Sequence, residues 1–350
     1  MGDLSAFSNY EDGGYIQQVK VPETQHYKSL SQTILNPGEL AFTDGAKWAR
    51  GSQLHFALQA IYTFQVRPLA GAHVLPPVTA AYTHSTWCSG VPMCVAGCVA
   101  VDAQERYGHL PEPNNEEQAR EVVAQARMIN DAAKMMNATC ASDLVMAVDD
   151  LDDDIVFKVA LHAAVELQPV ATFFGGVAAQ EVVKLAGKYQ PLDQWLHLDW
   201  FEILPSERPT DTAPLGTRYD NQVAVFGKAF QEKLLSSTTF LVGCGALGCE
   251  MLKNFALIGI GCGAGGAVHC TDNDVIEISN LNRQFLFRSH NVGKNKSDAS
   301  AAAAKIMNPA LNVKAHSQLV APNTENYFND TFWESLTFVT NALDNIKARE

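Results

Sequence analysis

The chain has 350 residues, enough for two or three domains with a core each, and its 47% hydrophobic, 18% charged and 9% aromatic content is that of a soluble globular protein. Its 25 Lys and Arg against 38 Asp and Glu give a formal charge of −13, which argues against a nucleic-acid partner held through phosphates and favours a basic one. No run of about 18 apolar residues reads as a membrane span, and MGDLSAFSNYEDGG has neither a basic n-region nor an apolar h-region, so a cytoplasmic or nuclear protein with no membrane association is expected. The eight cysteines, Cys88, Cys94, Cys98, Cys140, Cys244, Cys249, Cys262 and Cys270, contain no CxxC pair. Cys88, Cys94 and Cys98 are followed by no histidine or fourth cysteine at finger spacing, so neither a disulfide framework nor a zinc site is expected.

In chain order, residues 1–28 carry the alternating run Tyr15-Ile-Gln-Gln-Val-Lys-Val before Pro22, one or two strands that bury no core alone. Ser52 to Gln65 has a serine ahead of Leu54, Leu58, Ile61 and Tyr62 at helical spacing. Asn115 to Met136 and Asp152 to Val165 predict two further helices, each opening on acids that suit the helix dipole. A helical region thus covers about 29–165.

Within it, residues 66–104 show no sustained period and collect Pro, Gly, Ala and the three clustered cysteines. Thirty-nine residues without an element far exceed an ordinary helix-to-helix connection. Removing them joins TFQ smoothly to ERYGHLP, and the flanking Val and Gln codons are compatible with splice signals, so a retained intron or gene-model error is the expectation. Next, 170–188 predicts a buried helix of small residues, and QWLHLDWFEIL an alternating strand. PSERPTDTAPLG marks a linker at about 207–217.

After a short helix at Arg218-Tyr-Asp-Asn-Gln, Thr239 to Val242 is an apolar strand. It is followed by Gly243, Gly245 and Gly248 as GxGxxG, and Cys249 to Ile258 continues as a helix. Strand, turn and helix with this spacing bring backbone N–H groups to a phosphate at a helix N-terminus. A second strand, Gly266 to Cys270, leads to Asp272, an acceptor for ribose hydroxyls. Up to that point NAD, FAD and ATP all fit. Beyond it stand Asn282, Arg283 and Gln284, Lys296 in GKNKSDA, and Asp344-Asn345 after the apolar run from Leu336. A triphosphate attacked at its α-phosphorus needs cations along its length and an aspartate for magnesium, which Arg283, Lys296 and Asp344 supply. A NAD-dependent oxidoreductase leaves those three without a role.

RYDNQVAVFG, LVGCGALGCEMLKNFALIGIG, TDNDVIEISNLNRQFLFR, KSDASAAAAKIMNP and NALDN resemble the active adenylation half of the ubiquitin-activating enzymes, in the wider class of MoeB and ThiF proteins, over nearly all of 218–350. Upstream, NYEDGGYIQQVKVP resembles the end of that family's first catalytic-cysteine half-domain, 29–165 its four-helix bundle, and 166–206 the last part of its inactive adenylation half. The resemblance implies an α/β, Rossmann-type ThiF/MoeB-like adenylation fold preceded by a helical bundle and a short β remnant. It further implies ATP-dependent activation of ubiquitin or a related modifier: adenylation of the C-terminal glycine, then thioester transfer to a cysteine.

By the same resemblance Gly243, Gly245, Gly248, Ala246 and Asp272 hold the nucleotide, and Asn282, Arg283 and Lys296 orient and neutralise the phosphates. Asp344 binds Mg2+ with Asn345 beside it, and ubiquitin and ubiquitin-conjugating enzymes are the partners. The family's acceptor cysteine follows the ALDN segment in a Pro-Cys-Thr context that none of the eight cysteines has, so it is expected beyond Glu350. Cys244 and Cys249 are expected to pack rather than react, and the 350 residues alone are expected to be weak or inactive in the overall reaction.

Overall fold

The computed structural model describes residues 26–38, 40, 45–65, 109–140, 145–184, 186, 189–193, 195–344 and 349. The run at Tyr15, the stretch 66–104 and Asn345 lie outside these residues, so their expected roles stay as read from sequence.

The N-terminal unit is helical. Leu30–Leu35 (α1) starts at a capping box in which the Ser29 hydroxyl accepts the Gln32 N–H and the Gln32 amide oxygen accepts the Ser29 N–H. Arg50–Gln65 (α2), Glu116–Cys140 (α3) and Asp153–Leu161 (α4) pack on one another. Their core is Phe56, Ile61, Phe64, Val122, Ile129, Val156 and Leu161, closed by alanines that let the helix axes approach. The helix expected from Ser52 begins at Arg50, so Ser52 is no cap; its hydroxyl donates back to Ala49 O at 3.2 Å. Asp152 is a true cap, its carboxylate accepting the Asp154 and Ile155 N–H groups at 3.0 and 3.2 Å.

Two expectations fail here. Gln168–Lys184 (α5) forms where a buried helix was expected, yet none of its residues is buried. It meets the helix Ala246–Ile258 where the Thr172 hydroxyl donates to the Asn254 amide oxygen at 3.2 Å, and Trp200 packs on its Phe173 and Phe174 at 5.3 and 5.7 Å, which leaves every residue of the helix partly exposed. The alternating run from Trp195 does not form a strand and ends in a 3₁₀ turn, Phe201–Ile203. Its side chains serve the bundle instead. His197 Nε2 lies 3.0 Å from His55 Nδ1, and Asp199 and Glu202 pair with Lys47 and Arg50. The short helix expected at Arg218 begins at Asp220: Asp220–Phe226 (α6) and Lys228–Ser236 (α7) lead into the sheet.

The C-terminal unit is the expected α/β fold. Thr238–Val242 (β1), Ala267–Thr271 (β2), Val313–His316 (β3) and Phe338–Asn341 (β4) form a parallel sheet in the order β3-β2-β1-β4. Ala246–Ile258 (α8) and Lys296–Met307 (α9) cover one face through Leu241, Cys249, Leu252, Val268 and Ala304. The other face buries Phe240 against Phe328, Phe332 and Trp333, the last two in the short helix Asp330–Glu334 (α10), at ring distances of 5.0, 5.0 and 5.6 Å. Burial on both faces explains why β1 reads as an unbroken apolar run. Since β2 and β4 flank β1 on opposite sides, the chain reverses direction around it. In open parallel sheets the crevice for a ligand lies beyond the strands' C-terminal ends at such a point.

Candidate nucleotide-binding site

The loop after β1 is fixed by its glycines. Gly243 has φ +98°, and a Cβ there would stand 2.8 Å from Ala342 O at the end of β4. At Gly248 a Cβ would stand 2.1 Å from Gly243 O, so α8 reaches β1 only because the side chain is absent. Gly245, the N-cap of α8, differs: its φ is −76°, and the nearest atom to a Cβ would be Gln284 Nε2 at 3.9 Å. Packing does not require that glycine. It leaves open the mouth of a 13-residue helix whose first N–H groups have no intrahelical acceptor and no side-chain cap. Ala246 is the first residue of that helix.

Asp272 follows β2, half-buried. Its carboxylate accepts the Cys244 N–H at 2.8 Å and the Asp274 N–H at 2.9 Å, which ties the glycine loop to the end of β2. Each oxygen keeps a further lone pair for a ligand hydroxyl. Beyond it, buried Asn280 folds the polar stretch: its amide oxygen accepts the Glu277 N–H at 3.0 Å, and its carbonyl accepts the N–H groups of Arg283 and Gln284 at 3.2 and 2.9 Å. That turn leaves Asn282 and Arg283 exposed and Gln284 buried. Arg283 donates from Nη1 to Ser279 O at 3.1 Å and to the Asn282 amide oxygen at 3.2 Å. Gln284 is 4% exposed, beside Gly245, and its amide oxygen has no protein partner. A buried acceptor in that state costs about 1–3 kcal/mol until a donor arrives.

Lys296 opens α9. Its ammonium, 11% exposed, pairs with the Asp274 carboxylate at 2.8 Å, and its N–H donates to Asp274 O at 3.0 Å. Asp344 is exposed, three residues past β4 on the other side of β1, and the neighbouring Leu343 carbonyl accepts Arg349 Nε at 3.0 Å. Gly243, Gly245, Gly248, Ala246, Asp272, Lys296 and Asp344 therefore follow or adjoin C-terminal strand ends of one sheet, with Asn282 and Arg283 on the turn beyond β2. Asp274 carries little signal in the sequence beyond its place two residues after Asp272, because its pairing with Lys296 spans 22 residues. The burial of Gln284 is likewise not readable from an NRQ string.

The cysteines near the loop are not nucleophiles. Cys244, Cys249 and Cys270 are fully buried free thiols. The neighbouring Cys270 thiol, and then burial, push the Cys244 thiol well up, and burial pushes Cys249 up to about 11, so both are protonated at neutral pH.

Residues 219–350 match the ThiF family model, and residues 21–68 match that of the ubiquitin-activating enzyme E1 four-helix bundle. The α/β domain of this chain is thus the part that matches the ThiF family model. The whole chain is similar to the mouse "Ubiquitin-like modifier-activating enzyme 1", 43% identical over 99% of this chain and 29% of that protein. It is likewise similar to the Arabidopsis thaliana "Ubiquitin-activating enzyme E1 1", 38% identical over 99% of this chain and 28% of that one. The chain thus spans under a third of the length of these relatives. The E. coli tRNA N6-threonylcarbamoyladenosine dehydratase TcdA, solved in complex with ATP, is 24% identical over 37% of this chain and 50% of its own at a TM-score of 0.33, which carries nothing further. In the ThiF domain the glycine loop, Asp272, the Asn282–Gln284 turn, Lys296 and Asp344 make up the candidate site, and among the described residues no three His, Cys, Asp or Glu side chains gather to hold a metal by themselves.

Proposed function

We propose that this chain carries the ATP site of a ubiquitin-activating enzyme. The observation that carries the reading is Gly245: the one loop glycine that packing does not need faces the amide nitrogen of Gln284, a buried side chain whose amide oxygen has no partner. A phosphate approaching the α8 N-terminus needs the absent Cβ, and an adenosine hydroxyl or amino group supplies the missing donor. Ala246 and Asp272 hold the adenosine side. Asn282, Arg283 and Lys296 neutralise the phosphates, Lys296 delivered from its pair with Asp274. Magnesium fits the donor set: this hard cation takes one or two carboxylates and completes its shell with water and phosphate oxygens, so Asp344, with Asn345 beside it, suffices without a protein-only cluster. When bound it would offset negative charge on the phosphates and on the departing pyrophosphate.

In the proposed reaction the C-terminal carboxylate of ubiquitin attacks the α-phosphorus, the bond to the β-phosphate oxygen breaks, and pyrophosphate leaves. The protein contributes alignment and positive charge and moves no proton in this step. A thiolate then attacks the acyl carbon and AMP leaves. Cys244 and Cys249, buried and protonated, are not suited to supply that thiolate. Ubiquitin-conjugating enzymes would take the thioester in turn, in cytoplasm and nucleus. A protein spanning the full length of the relatives, with this segment in place, should exchange radiolabelled pyrophosphate into ATP only when ubiquitin is present. Arg283→Ala and Asp344→Ala should each lower that exchange at least about tenfold, the usual scale for losing a group that stabilises transition-state charge. Exchange unaffected by either substitution would refute the assignment.

A further inference from the structure

His316, the last residue of β3, is the node between two strand ends. Its carbonyl accepts the Asp272 N–H at 3.2 Å and the Thr271 hydroxyl at 3.2 Å. Its ring is gripped from both sides: Nε2 lies 2.9 Å from Nδ1 of His269 on β2, and Nδ1 lies 2.9 Å from the Tyr327 hydroxyl. The two imidazoles stack 5.2 Å apart at 7°, and Phe240, Phe328 and Phe332 meet the His316 ring steeply, at 86°, 72° and 80°.

Two nitrogen-to-nitrogen and nitrogen-to-hydroxyl bonds in series fix the tautomers. Either the Tyr327 O–H donates to His316 Nδ1 and His316 Nε2–H donates to His269, or every donor and acceptor is reversed. In both arrangements the rings are neutral. Burial lowers His269 to about 4, with His316 and Lys314 adding to it, and burial and then Lys314 lower His316. Lys314 on β3 and Tyr327 are the ionisable groups against the pair; Phe240 of β1 and Phe332 of α10, which meet the rings, are uncharged, and the α10 carboxylates Asp330 and Glu334 are not among the groups that shift either ring.

We propose that His316, clamped between His269 and Tyr327, is a positioning residue for Asp272, holding the strand end from which that carboxylate meets the ribose hydroxyls of the nucleotide. This rests on the assignment of Asp272 to ribose made above. The clamp fixes the Asp272 backbone from the β3 side, while Cys244 and Asp274 fix its carboxylate from the loop side. The clamp residues His269, His316 and Tyr327 are not among the groups assigned above to the phosphates, which are Arg283, Lys296 and the α8 N-terminus. The effect is therefore specific to ligands that carry a ribose.

The test uses the 350-residue chain with His269→Phe, which keeps an aromatic ring in the stack and removes the bonding nitrogen. Tyr327→Phe, at a half-exposed side chain, serves as the gentler variant, and His269→Gln restores a hydrogen-bonding group. Two readouts are taken: amide exchange at Asp272 by NMR, and affinity for ATP and for inorganic tripolyphosphate, each with magnesium. His269→Phe should speed Asp272 exchange and weaken ATP about fivefold, the worth of one net hydrogen bond, while tripolyphosphate affinity stays unchanged and His269→Gln recovers most of the loss. Unchanged Asp272 exchange in both Phe variants, or equal weakening of ATP and tripolyphosphate, overturns the proposal. A wild-type chain that binds neither ligand defeats the proposed function instead, and Asp272 exchange then decides the clamp alone.

Discussion

The three glycines of the loop after β1 have different physical reasons to be glycine, and substitution separates them. Gly248→Ala forces a methyl to 2.1 Å from Gly243 O and should cost about 3 kcal/mol of stability, read as a lower urea midpoint. Gly245→Ala meets only the end of the Gln284 side chain at 3.9 Å, so stability should hold to within about 0.5 kcal/mol while ATP affinity falls about tenfold. Equal loss of stability in the two variants contradicts the division. The glycines and Asp272 were legible because their spacing in sequence mirrors adjacency along one strand, turn and helix. Asp274 and Gln284 were not, because what marks them is an ion pair across 22 residues and a buried oxygen, and both arise only when the loop closes over α9.

At the scale of elements, the helices that carry their own caps and core stripe were readable, and those defined by a neighbour were not. Asp152 stands in the sequence ahead of two further acids and caps α4; Asp152→Ala should cost about 1 kcal/mol, seen by chemical denaturation. The run from Trp195 alternates like a strand, but no described strand lies beside it, and its polar face is taken by His55, Lys47 and Arg50. That docking gives a pH dependence. Burial lowers His55, and burial, with His55 adding to it, lowers His197 to about 4. The folded state therefore prefers both rings neutral. Their contribution to stability is complete above the unfolded value near 6.5 and is lost as pH falls from there towards 4. The urea midpoint of the bundle should drop over that window, and His197→Gln should flatten the drop. A midpoint that rises on acidification would contradict the buried pair.

For the whole molecule, the helical unit and the ThiF domain have separate cores, built on Phe56, Phe64 and Val122 in one and on Leu241, Leu252 and Val268 in the other. Among the described residues Asn114 Nδ2 donates to Ala224 O at 2.7 Å across them, and Arg208 of the linker pairs with Glu116 of the helical unit. Heating should resolve two transitions rather than one. Because only the ThiF domain carries the proposed site, ATP with magnesium should raise one transition and leave the other in place, by an amount that grows as RT ln(1 + [L]/Kd). The α/β class and the bundle were readable from periodicity and glycine spacing. The exposure of α5 was not, since its composition is that of a helix with a covering layer.

The crevice beyond β1, β2 and β4 is proposed to hold a triphosphate with magnesium and not a dinucleotide. Titrating the chain with ATP, with and without magnesium, and with NADH, by fluorescence, tests it most directly. ATP should bind saturably, need magnesium, be lost in Arg283→Ala and be weakened in Asp344→Ala, and NADH should not saturate. Tight NADH binding, or ATP binding indifferent to magnesium and to both substitutions, would contradict it.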